Sequence, residues 1–484
     1  MAMEDTLHPF LELYFASPQW MKNSVGRAYS MVAGLARGRL HAGFAAQAAL
    51  VDPEAVRALG TQKLRATLQH AITSVPAYRD FRHLLLQLDT PHLVLAQLPL
   101  VCKEHLRANP LQFMASTASP RARLKVATGG STAVPMVFYL QKGVSRSREH
   151  AFMAAFHQRT GMQPGETVLA LRGRSVPRAA CSAGRMWMYE PIKKELILSC
   201  EHLARSFMPS YVQAIRRWKP AFIQAYPSAI YPLARWLQEN PAPDISSRIR
   251  AIMLFSENVL PHHRQLLETV FDCPILQQYG QSERILMAAS MPDDPRYFFF
   301  PQYGHVELVD TLGQAVTTPG MPGEIVGTAF DNDVMSFIRY RTGDLAILGG
   351  PSHPLLPGYP VVEKIEGRLQ EFIVCNDRRL ISVNTLTTRH FADLENAEDV
   401  QFEQTTPGHL LVRVAPGASL SAQARRRIAQ DLETKTQGGC AFEVIGVDRI
   451  ARTQRGKQRM LVQHLDLRAY FGAAPAVADP RGTA

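Results

Sequence analysis

The chain has 484 residues and a formal net charge of +11, from 53 basic and 42 acidic side chains. Hydrophobic residues make up 46% and charged residues 20%, which is typical of a globular protein rather than a disordered chain. No apolar run approaches the ~18 residues that a membrane helix needs. Residues 1–5 are acidic and begin no secretion signal, so we expect a cytoplasmic protein without a membrane span.

The positive charge favours anionic partners such as ATP, coenzyme A or an acidic carrier protein, or it is simply a solvated basic surface. The compact run Arg425–Arg427 lies on a predicted helix and is most simply a solvated face. No basic stripe with interleaved aromatic residues is present, so a nucleic-acid partner is not expected. The six cysteines contain no CxxC pair, which favours reduced thiols over a disulfide framework or a clustered zinc site.

The first 100 residues are predicted to be helical. The stretch Lys63–Ile72 has helical apolar spacing, and Val75-Pro76 ends it. From about residue 124, strands alternate with loops and helices, which predicts an α/β core. The predicted strands are 124–127, 136–140, 221–226, 252–255 and 274–279, with a helix at 211–218.

Residues 300–350 are strand-rich with Gly and Pro punctuation, and we place a domain boundary near residue 368. Beyond it, strands at 372–374, 410–414 and 442–445 and a helix at 421–434 predict a small α+β domain. The predicted organisation is an N-terminal domain over 1–367, with a helical lead-in to about residue 100, and a C-terminal domain over 368–472. The Ala/Pro/Gly-rich tail at 473–484 is predicted to be disordered.

A Gly/Ser/Thr loop lies between the predicted strands at 124–127 and 136–140. Its backbone N–H groups and hydroxyls are donors that a polyphosphate needs, although an ordinary hairpin has the same composition. No Gly-Lys-Ser/Thr closes it, so it is not a P-loop. The candidate residues are Thr128, Gly129, Gly130, Ser131 and Thr132.

Two acidic motifs follow predicted strands. In Tyr279-Gly280-Gln281-Ser282-Glu283, the carboxylate at a strand end is a candidate Mg²⁺ ligand, because Mg²⁺ prefers one or two carboxylates plus phosphate oxygens. In residues 340–344, Asp344 is a candidate acceptor for both ribose hydroxyls. Taken singly, Glu283 is also typical of a surface turn and Asp344 of a β-turn.

Two basic residues complete the set. Arg368 is a candidate nucleotide contact, or simply an exposed arginine. Lys457, in a Gly-Lys pair within a basic stretch, is suited to neutralise charge developing between a carboxylate and an α-phosphate. Alone, that stretch is more typical of a solvated surface.

In this order, the motifs resemble those of the adenylate-forming superfamily, which includes acyl- and aryl-CoA ligases. The match is closest to the phenylacetate–CoA ligase branch with its capsular-polysaccharide-type relatives, and it spans roughly residues 60–470. The resemblance implies an adenylate-forming ligase fold of the α/β class. A large N-terminal α/β domain would carry a β-rich subdomain, followed by a small mobile α+β C-terminal domain. A homodimer would match this branch, although no motif in the chain predicts one.

The resemblance also implies a role for each matching residue. Thr128 to Thr132 would bind phosphate, together with Ser282. Tyr279, Gly280 and Gln281 would border adenine and the acyl group, with Glu257 near the adenine pocket. Asp344 and Arg368 would hold the ribose, Glu283 the Mg²⁺, and Lys457 would orient the carboxylate and α-phosphate. The acyl pocket would be lined near Tyr226, Pro227, Phe255 and Ser256, alongside Tyr279 and Gln281.

Several positions depart from the family pattern. Ala133 stands where glycine is usual, and Val134 where many members have a loop lysine. Ser282 replaces the commoner threonine, and Met335-Ser336 replaces a usual Met-Pro. Residues 370–371 are Gln-Glu where a hinge aspartate is frequent. The three key charged residues, Glu283, Asp344 and Lys457, remain, so we expect an active enzyme.

The implied function is ATP-dependent activation of a carboxylic acid to an acyl-adenylate, followed by transfer to a thiol of coenzyme A or of carrier-protein phosphopantetheine. The mainly aromatic and small polar pocket residues favour an aryl or medium apolar acid. An amine or hydroxyl acceptor, giving an amide or ester synthetase, stays open. A catalytically silent nucleotide-binding protein is the third alternative.

Overall fold

The computed structural model describes residues 17–36, 38–127, 136–172, 185–200, 202–368, 372–386, 399–415, 420–451, 459–465 and 467–470, with Tyr14 and Val176. Helices α1–α12 span, in order, Gln19–Ala36, Gly38–Ala48, Pro53–Ser74, Pro91–Gln97, Lys103–Ala108, Ser145–Arg159, Met208–Trp218, Pro227–Glu239, Pro243–Ser246, Pro261–Phe271, Val383–Leu386 and Ala422–Lys435.

Strands β1–β10 span Arg123–Ala127, Val137–Gln141, Val168–Leu171, Trp187–Glu190, Glu195–Leu198, Phe222–Ala225, Ala251–Phe255, Ile275–Gly280, Met287–Met291 and Asp294–Phe299. Strands β11–β20 span Gly304–Val309, Pro322–Ala329, Tyr340–Leu348, Val361–Arg368, Phe372–Val374, Leu380–Ser382, Asp399–Thr406, His409–Ala415, Ala441–Gly446 and Leu461–Gln463.

Helices dominate the start of the described chain, as predicted. The side chain of Asp52 caps α3 by accepting a hydrogen bond from the Ala55 N–H at 2.8 Å. The helix ends at Ser74, and Val75 is extended because the following residue, Pro76, disfavours helical backbone before it. A 3-10 stretch over Pro76–Gln87 continues the helical region. The strands predicted between residues 124 and 279, and the helix at 211–218, are confirmed within a few residues of their ends.

A sheet of twelve strands, in the order β11-β12-β13-β14-β10-β9-β8-β7-β6-β3-β5-β4, forms the centre of the fold. Strands β5, β3, β6, β7 and β8 are parallel, and we call them the parallel half. Strands β9 to β14 pair antiparallel and form the antiparallel half. The parallel strands are rich in apolar residues because helices cover both of their faces.

The predicted phosphate loop joins two paired strands. β1 and β2 are antiparallel, and Ala127 lies opposite Val137 at the end of the ladder. The loop itself, residues 128–135, lies outside the described residues. Helix α6 begins only a few residues after β2, at Ser145.

The C-terminal strands form separate sheets. β15 pairs with β16, and a four-stranded sheet has the order β19-β18-β17-β20. The predicted helix at 421–434 is confirmed as α12, which packs on this sheet around Ile428 and Leu432. The domain boundary near residue 368 and the mobility of this region stay predictions. None of the helices in the described ranges combines the length and hydrophobicity of a membrane span.

Candidate active site

The acidic motif at 279–283 lies where the parallel half ends. Tyr279 and Gly280 are the last residues of β8, and the chain then turns through Gln281 to Arg284. The turn is held by Gln281, whose Oε1 accepts a hydrogen bond from the Leu286 N–H at 3.0 Å. Arg284 has φ +54°, a left-handed conformation that is uncommon for a residue with a side chain. The carboxyl ends of parallel strands are where α/β sheets bind ligands.

The position of the Asp344 side chain depends on an irregularity within a strand. The register of β13 against β12 shifts between Glu324 and Val326. More residues of β13 than of β12 therefore lie between the two paired positions. Gly343 lies in this irregularity with φ +76°, which favours glycine. The buried Glu324 accepts from the Gly343 N–H at 3.1 Å and pairs with Arg341. Such a bulge changes the direction of the neighbouring side chain, which here is that of Asp344.

These two regions meet through a reciprocal pair of hydrogen bonds. Tyr279 of β8 donates to Asp344 Oδ2 of β13 at 2.7 Å. Tyr340 of β13 donates to Glu283 Oε1, just beyond β8, at 3.2 Å. The two strands are four steps apart in the sheet order, which a flat sheet would separate by ~19 Å. The sheet therefore curls, and the curl brings both carboxylates into one site.

Burial sets the protonation of the two tyrosines in this site. Asp344 is 8% exposed and Glu283 is 9% exposed. Burial, followed by the neighbouring Asp344 carboxylate, holds the pKa of Tyr279 well above its usual range. Burial and Glu283 raise the pKa of Tyr340 in the same way. Both phenols therefore stay protonated and donate to the carboxylates.

The predicted acyl-pocket residues lie at neighbouring strand ends. Tyr226 and Pro227 follow β6 and begin α8, while Phe255 ends β7 and lies opposite Gln278 of β8. Ser256, the next residue, has φ +63°. Strained backbone of this kind is concentrated at functional sites.

Glu257 has a capping role in addition to its predicted place near the adenine pocket. Its carboxylate accepts hydrogen bonds from the Ser228 N–H at 3.0 Å and from the Ser228 hydroxyl at 3.1 Å. Ser228 is in the first turn of α8, so a negative charge here also complements the helix dipole. Glu257 thereby fixes the start of α8 beside Tyr226 and Pro227.

A buried polar network behind Phe255 was missed by the sequence analysis. Arg172, at the end of β3, donates through Nε to Gln224 Oε1 at 3.0 Å, and its Cζ lies 4.9 Å from the Phe255 ring centroid. The Gln224 amide lies 2.9 Å from His157 Nε2. Burial, with a contribution from Arg172, lowers the pKa of His157 to about 4, so its ring is neutral and accepts from the amide. Gln224 lies inside an apolar run and gave no periodic signal.

Tyr340 and Glu324 were also missed as site residues. Tyr340 belongs to a motif quoted for its aspartate, and only the tertiary contact shows that its hydroxyl reaches Glu283. Arg368 ends β14 with its Cα opposite that of Asp344, which brings these two predicted ribose contacts together at the main-chain level. The predicted phosphate-loop residues 128–132 and Lys457 lie outside the described residues.

The donor set fits a hard divalent cation. Glu283 supplies carboxylate oxygens, which Mg²⁺ prefers over nitrogen or sulfur. Among the described residues, no group of three His, Cys, Asp or Glu side chains forms a cage for a metal. A cation at Glu283 would therefore complete its coordination with nucleotide oxygens and water, which is the usual arrangement for Mg²⁺.

Comparison with known proteins shows which proteins the chain resembles. No family model matches the chain. The chain is 23% identical to protein CapK of Staphylococcus aureus over 377 residues, covering 76% of this chain and 80% of CapK. It is 24% identical to the phenylacetate-coenzyme A ligase of Pseudomonas putida over 355 residues, covering 68% and 75% of the two chains. The chain is thus similar in sequence to ligases of the adenylate-forming superfamily, in its phenylacetate–CoA ligase-like branch.

A solved structure supports the predicted fold. A 2-hydroxyisobutyryl-CoA ligase, in its postadenylation state with an acyl-AMP, matches with a TM-score of 0.63 at 18% identity. The match covers 85% of this chain and 90% of that ligase. The predicted adenylate-forming ligase fold is thus confirmed.

Proposed function

We propose that this chain is an ATP-dependent, AMP-forming ligase that activates a carboxylic acid and transfers the acyl group to coenzyme A. The observation that carries the proposal is the reciprocal pairing of Tyr279 with Asp344 and of Tyr340 with Glu283. It presents two buried carboxylates side by side at the edge of the sheet where ligands bind. The similarity to phenylacetate-coenzyme A ligases supports the same chemistry.

The first half-reaction is an attack of the substrate carboxylate on the α-phosphate of ATP, which forms an acyl-adenylate and releases pyrophosphate. Asp344, oriented by Tyr279, would accept hydrogen bonds from the ribose hydroxyls. Glu283, oriented by Tyr340, would hold Mg²⁺, which neutralises charge on the phosphate oxygens. Lys457 would stabilise charge at the reacting α-phosphate. Such a displacement depends on positioning and electrostatics, so no protein nucleophile is required.

In the second half-reaction, a thiolate attacks the acyl carbonyl of the adenylate and AMP leaves. The net charge of +11 suits coenzyme A and equally an acidic carrier protein with a phosphopantetheine thiol. An aryl or medium apolar acid fits the aromatic lining that Tyr226 and Phe255 would provide. We further propose a mobile C-terminal domain from residue 368, a cytoplasmic location, and assembly as a homodimer.

Pyrophosphate release with ATP and Mg²⁺ tests the proposal, across aryl and fatty acids and without any acceptor thiol. We expect release with one class of acid and, when coenzyme A is added, its conversion to an acyl thioester. Thioester formation only with a carrier protein, or amide formation with an amine, would change the acceptor but keep the adenylation step. ATP binding without pyrophosphate release for any acid of the panel would contradict the proposed enzymatic activity.

Lys457→Ala tests the proposed role of this lysine in adenylation. Because the lysine is expected to stabilise charge in the transition state rather than to bind ATP, the variant should lose adenylation and keep ATP binding. Arg455→Ala, in the same basic stretch, serves as the control for loss of one positive charge. Pyrophosphate release by Lys457→Ala at the native rate would remove the lysine from the mechanism.

A further inference from the structure

Arg148 is an arginine buried inside the molecule, with 1% of its surface exposed. It lies on α6, and its guanidinium reaches main-chain oxygens of three separate segments. Nη2 donates to the Arg284 carbonyl at 2.5 Å, and Nη1 donates to the Phe330 carbonyl and lies 3.5 Å from that of Tyr303. The guanidinium also stacks over the Tyr303 ring, with Cζ 4.1 Å from its centroid.

A neighbouring carboxylate stabilises the positive charge of Arg148. Asp331 lies 3.7 Å from Nη1 of Arg148, and the same carboxylate oxygen lies 2.7 Å from Lys63 Nζ. A buried arginine is costly unless it is paired and its N–H groups are satisfied. The planar fork of a guanidinium meets several carbonyls at once, which a lysine ammonium does with poorer geometry. Removal of Arg148 would therefore affect the orientation of the segments it joins.

The Arg284 carbonyl is the contact that matters for chemistry. Arg284 directly follows Glu283 and has the left-handed φ of +54°. Its own side chain donates to the Ser145 hydroxyl at 2.6 Å, so α6 holds both the main chain and the side chain of this residue. Ser145 begins α6, shortly after β2 and the predicted phosphate loop. Helix α6 thus follows the predicted phosphate loop in the chain and contacts the turn that is expected to bind the cation.

We propose that Arg148 is a positioning residue, which fixes the turn at Arg284 and thereby the aim of the Glu283 carboxylate toward the cation of Mg·ATP. The proposal rests on the proposed function, because the cation and nucleotide are those of adenylation. Arg148 itself is not expected to contact the substrate. Its effect should therefore appear in the contribution of Mg²⁺ to ATP binding rather than in ATP binding without metal.

The measurement is the ATP dissociation constant of the full chain, with Mg²⁺ and with EDTA, for the native protein and for Arg148→Met and Arg148→Lys. Loss of residues that orient a metal ligand typically weakens metal affinity by roughly 10- to 100-fold. We expect Arg148→Met to reduce the Mg²⁺-dependent gain in ATP affinity by about tenfold. ATP affinity in EDTA should stay within about twofold of native, and Arg148→Lys should restore part of the gain.

Arg159 on the same helix offers a matched control. It donates to the Ala289 carbonyl at 3.0 Å and stacks over Phe300 at 4.6 Å, so it makes the same kinds of contact away from the Arg284 turn. Arg159→Met should lower the unfolding temperature and leave the Mg²⁺-dependent gain unchanged. If both variants lose that gain equally, the role of Arg148 is general packing and not positioning of Glu283. The same conclusion follows if Arg148→Met is destabilised but keeps a native-like gain.

Ser145→Ala covers the case in which Arg148→Met does not fold. It removes only the side-chain hydrogen bond to Arg284, and we expect a loss of the Mg²⁺-dependent gain of about twofold to fivefold. A native gain in both Ser145→Ala and Arg148→Lys would overturn the positioning role. Failure of the native chain to bind Mg·ATP at all would instead overturn the proposed function, and the inference with it.

Discussion

The parallel and antiparallel halves of the central sheet deliver functional groups in different ways. The parallel half presents its residues where strands end, since Tyr279 is near the end of β8 and Glu283 follows it. The antiparallel half presents Asp344 from within β13, through a register shift at Gly343. Each half supplies one tyrosine and one carboxylate, and each tyrosine binds the carboxylate of the other half. The site thus depends on the contact between the halves and belongs to neither alone.

The largest expected effect comes from the carboxylate beyond the parallel half. Glu283→Gln keeps the size of the side chain and removes its charge, so a cation site there would be lost. We expect pyrophosphate release to fall about a hundredfold or more at fixed Mg²⁺. Glu268→Gln, on the exposed face of α10, is the control and should match native. A Glu283→Gln variant with normal Mg²⁺ dependence would place the cation elsewhere.

Acid should destabilise both halves through two half-buried histidines. Burial, with Arg172, lowers the pKa of His157 from 6.5 to about 4, and burial, with His92 and then Arg339, lowers that of His305 on β11 to about 4. Unfolded histidines bind protons near pH 6.5, so stability is complete above that pH and falls as the pH drops toward 4. At pH 5 the loss is on the order of 2 kcal/mol for each group.

Urea unfolding at pH 7 and pH 5 measures this loss. Replacing either histidine with glutamine should remove about half of the pH dependence that the two share. His157 contacts the parallel half and His305 is part of the antiparallel half, so both variants should act on one transition if the halves unfold together. Two separate transitions, each sensitive to one histidine, would show that the halves are independent.

Asp344→Asn should act on nucleotide binding more than on turnover. An amide accepts through one oxygen only, so one ribose hydroxyl would lose its acceptor, and we expect the KM for ATP to rise about tenfold. The comparison of ATP with 2′-deoxy-ATP and 3′-deoxy-ATP is decisive. The native chain should discriminate against at least one deoxy nucleotide, and Asp344→Asn should discriminate less. Equal discrimination by both proteins would remove Asp344 from the ribose site.

The tyrosines should give the smallest effects. Tyr279→Phe and Tyr340→Phe each remove one hydrogen bond between the halves, which is worth about 1 kcal/mol, or roughly a fivefold change in activity. Tyr279→Phe should raise the KM for ATP, whereas Tyr340→Phe should raise the Mg²⁺ concentration needed for half-maximal rate. Interchanged or identical effects would mean that the two carboxylates do not have separate roles.

The double variant Tyr279→Phe/Tyr340→Phe asks whether the two hydrogen bonds act together. Independent contacts give additive free energies, while contacts that jointly hold one interface give a coupling of about 0.5 kcal/mol or more. Because both bonds join β8 to β13, we expect coupling. Additivity would show that the curl of the sheet is held by the core and not by the site.

The sequence by itself predicted the elements and the chemical types of the site residues. Apolar runs such as β6 and β7 are readable because a strand covered on both faces needs apolar side chains throughout. The turn after β8 and the glycine at 343 are readable because a local backbone requirement selects their residues. The order of the motifs also predicted the resemblance to the superfamily and its fold, which the comparisons bear out.

Only the tertiary structure decided which of those residues meet. The contact of β13 with β8 depends on the accumulated twist of a twelve-stranded sheet, which no local pattern encodes. The Cys375 and Cys440 sulfurs lie 3.6 Å apart in the core of the C-terminal region, and only tertiary packing brings them together, since 65 positions separate them in the chain. Arg148 and Gln224 gave no signal because a buried polar residue is defined by its partners, and these come from distant segments.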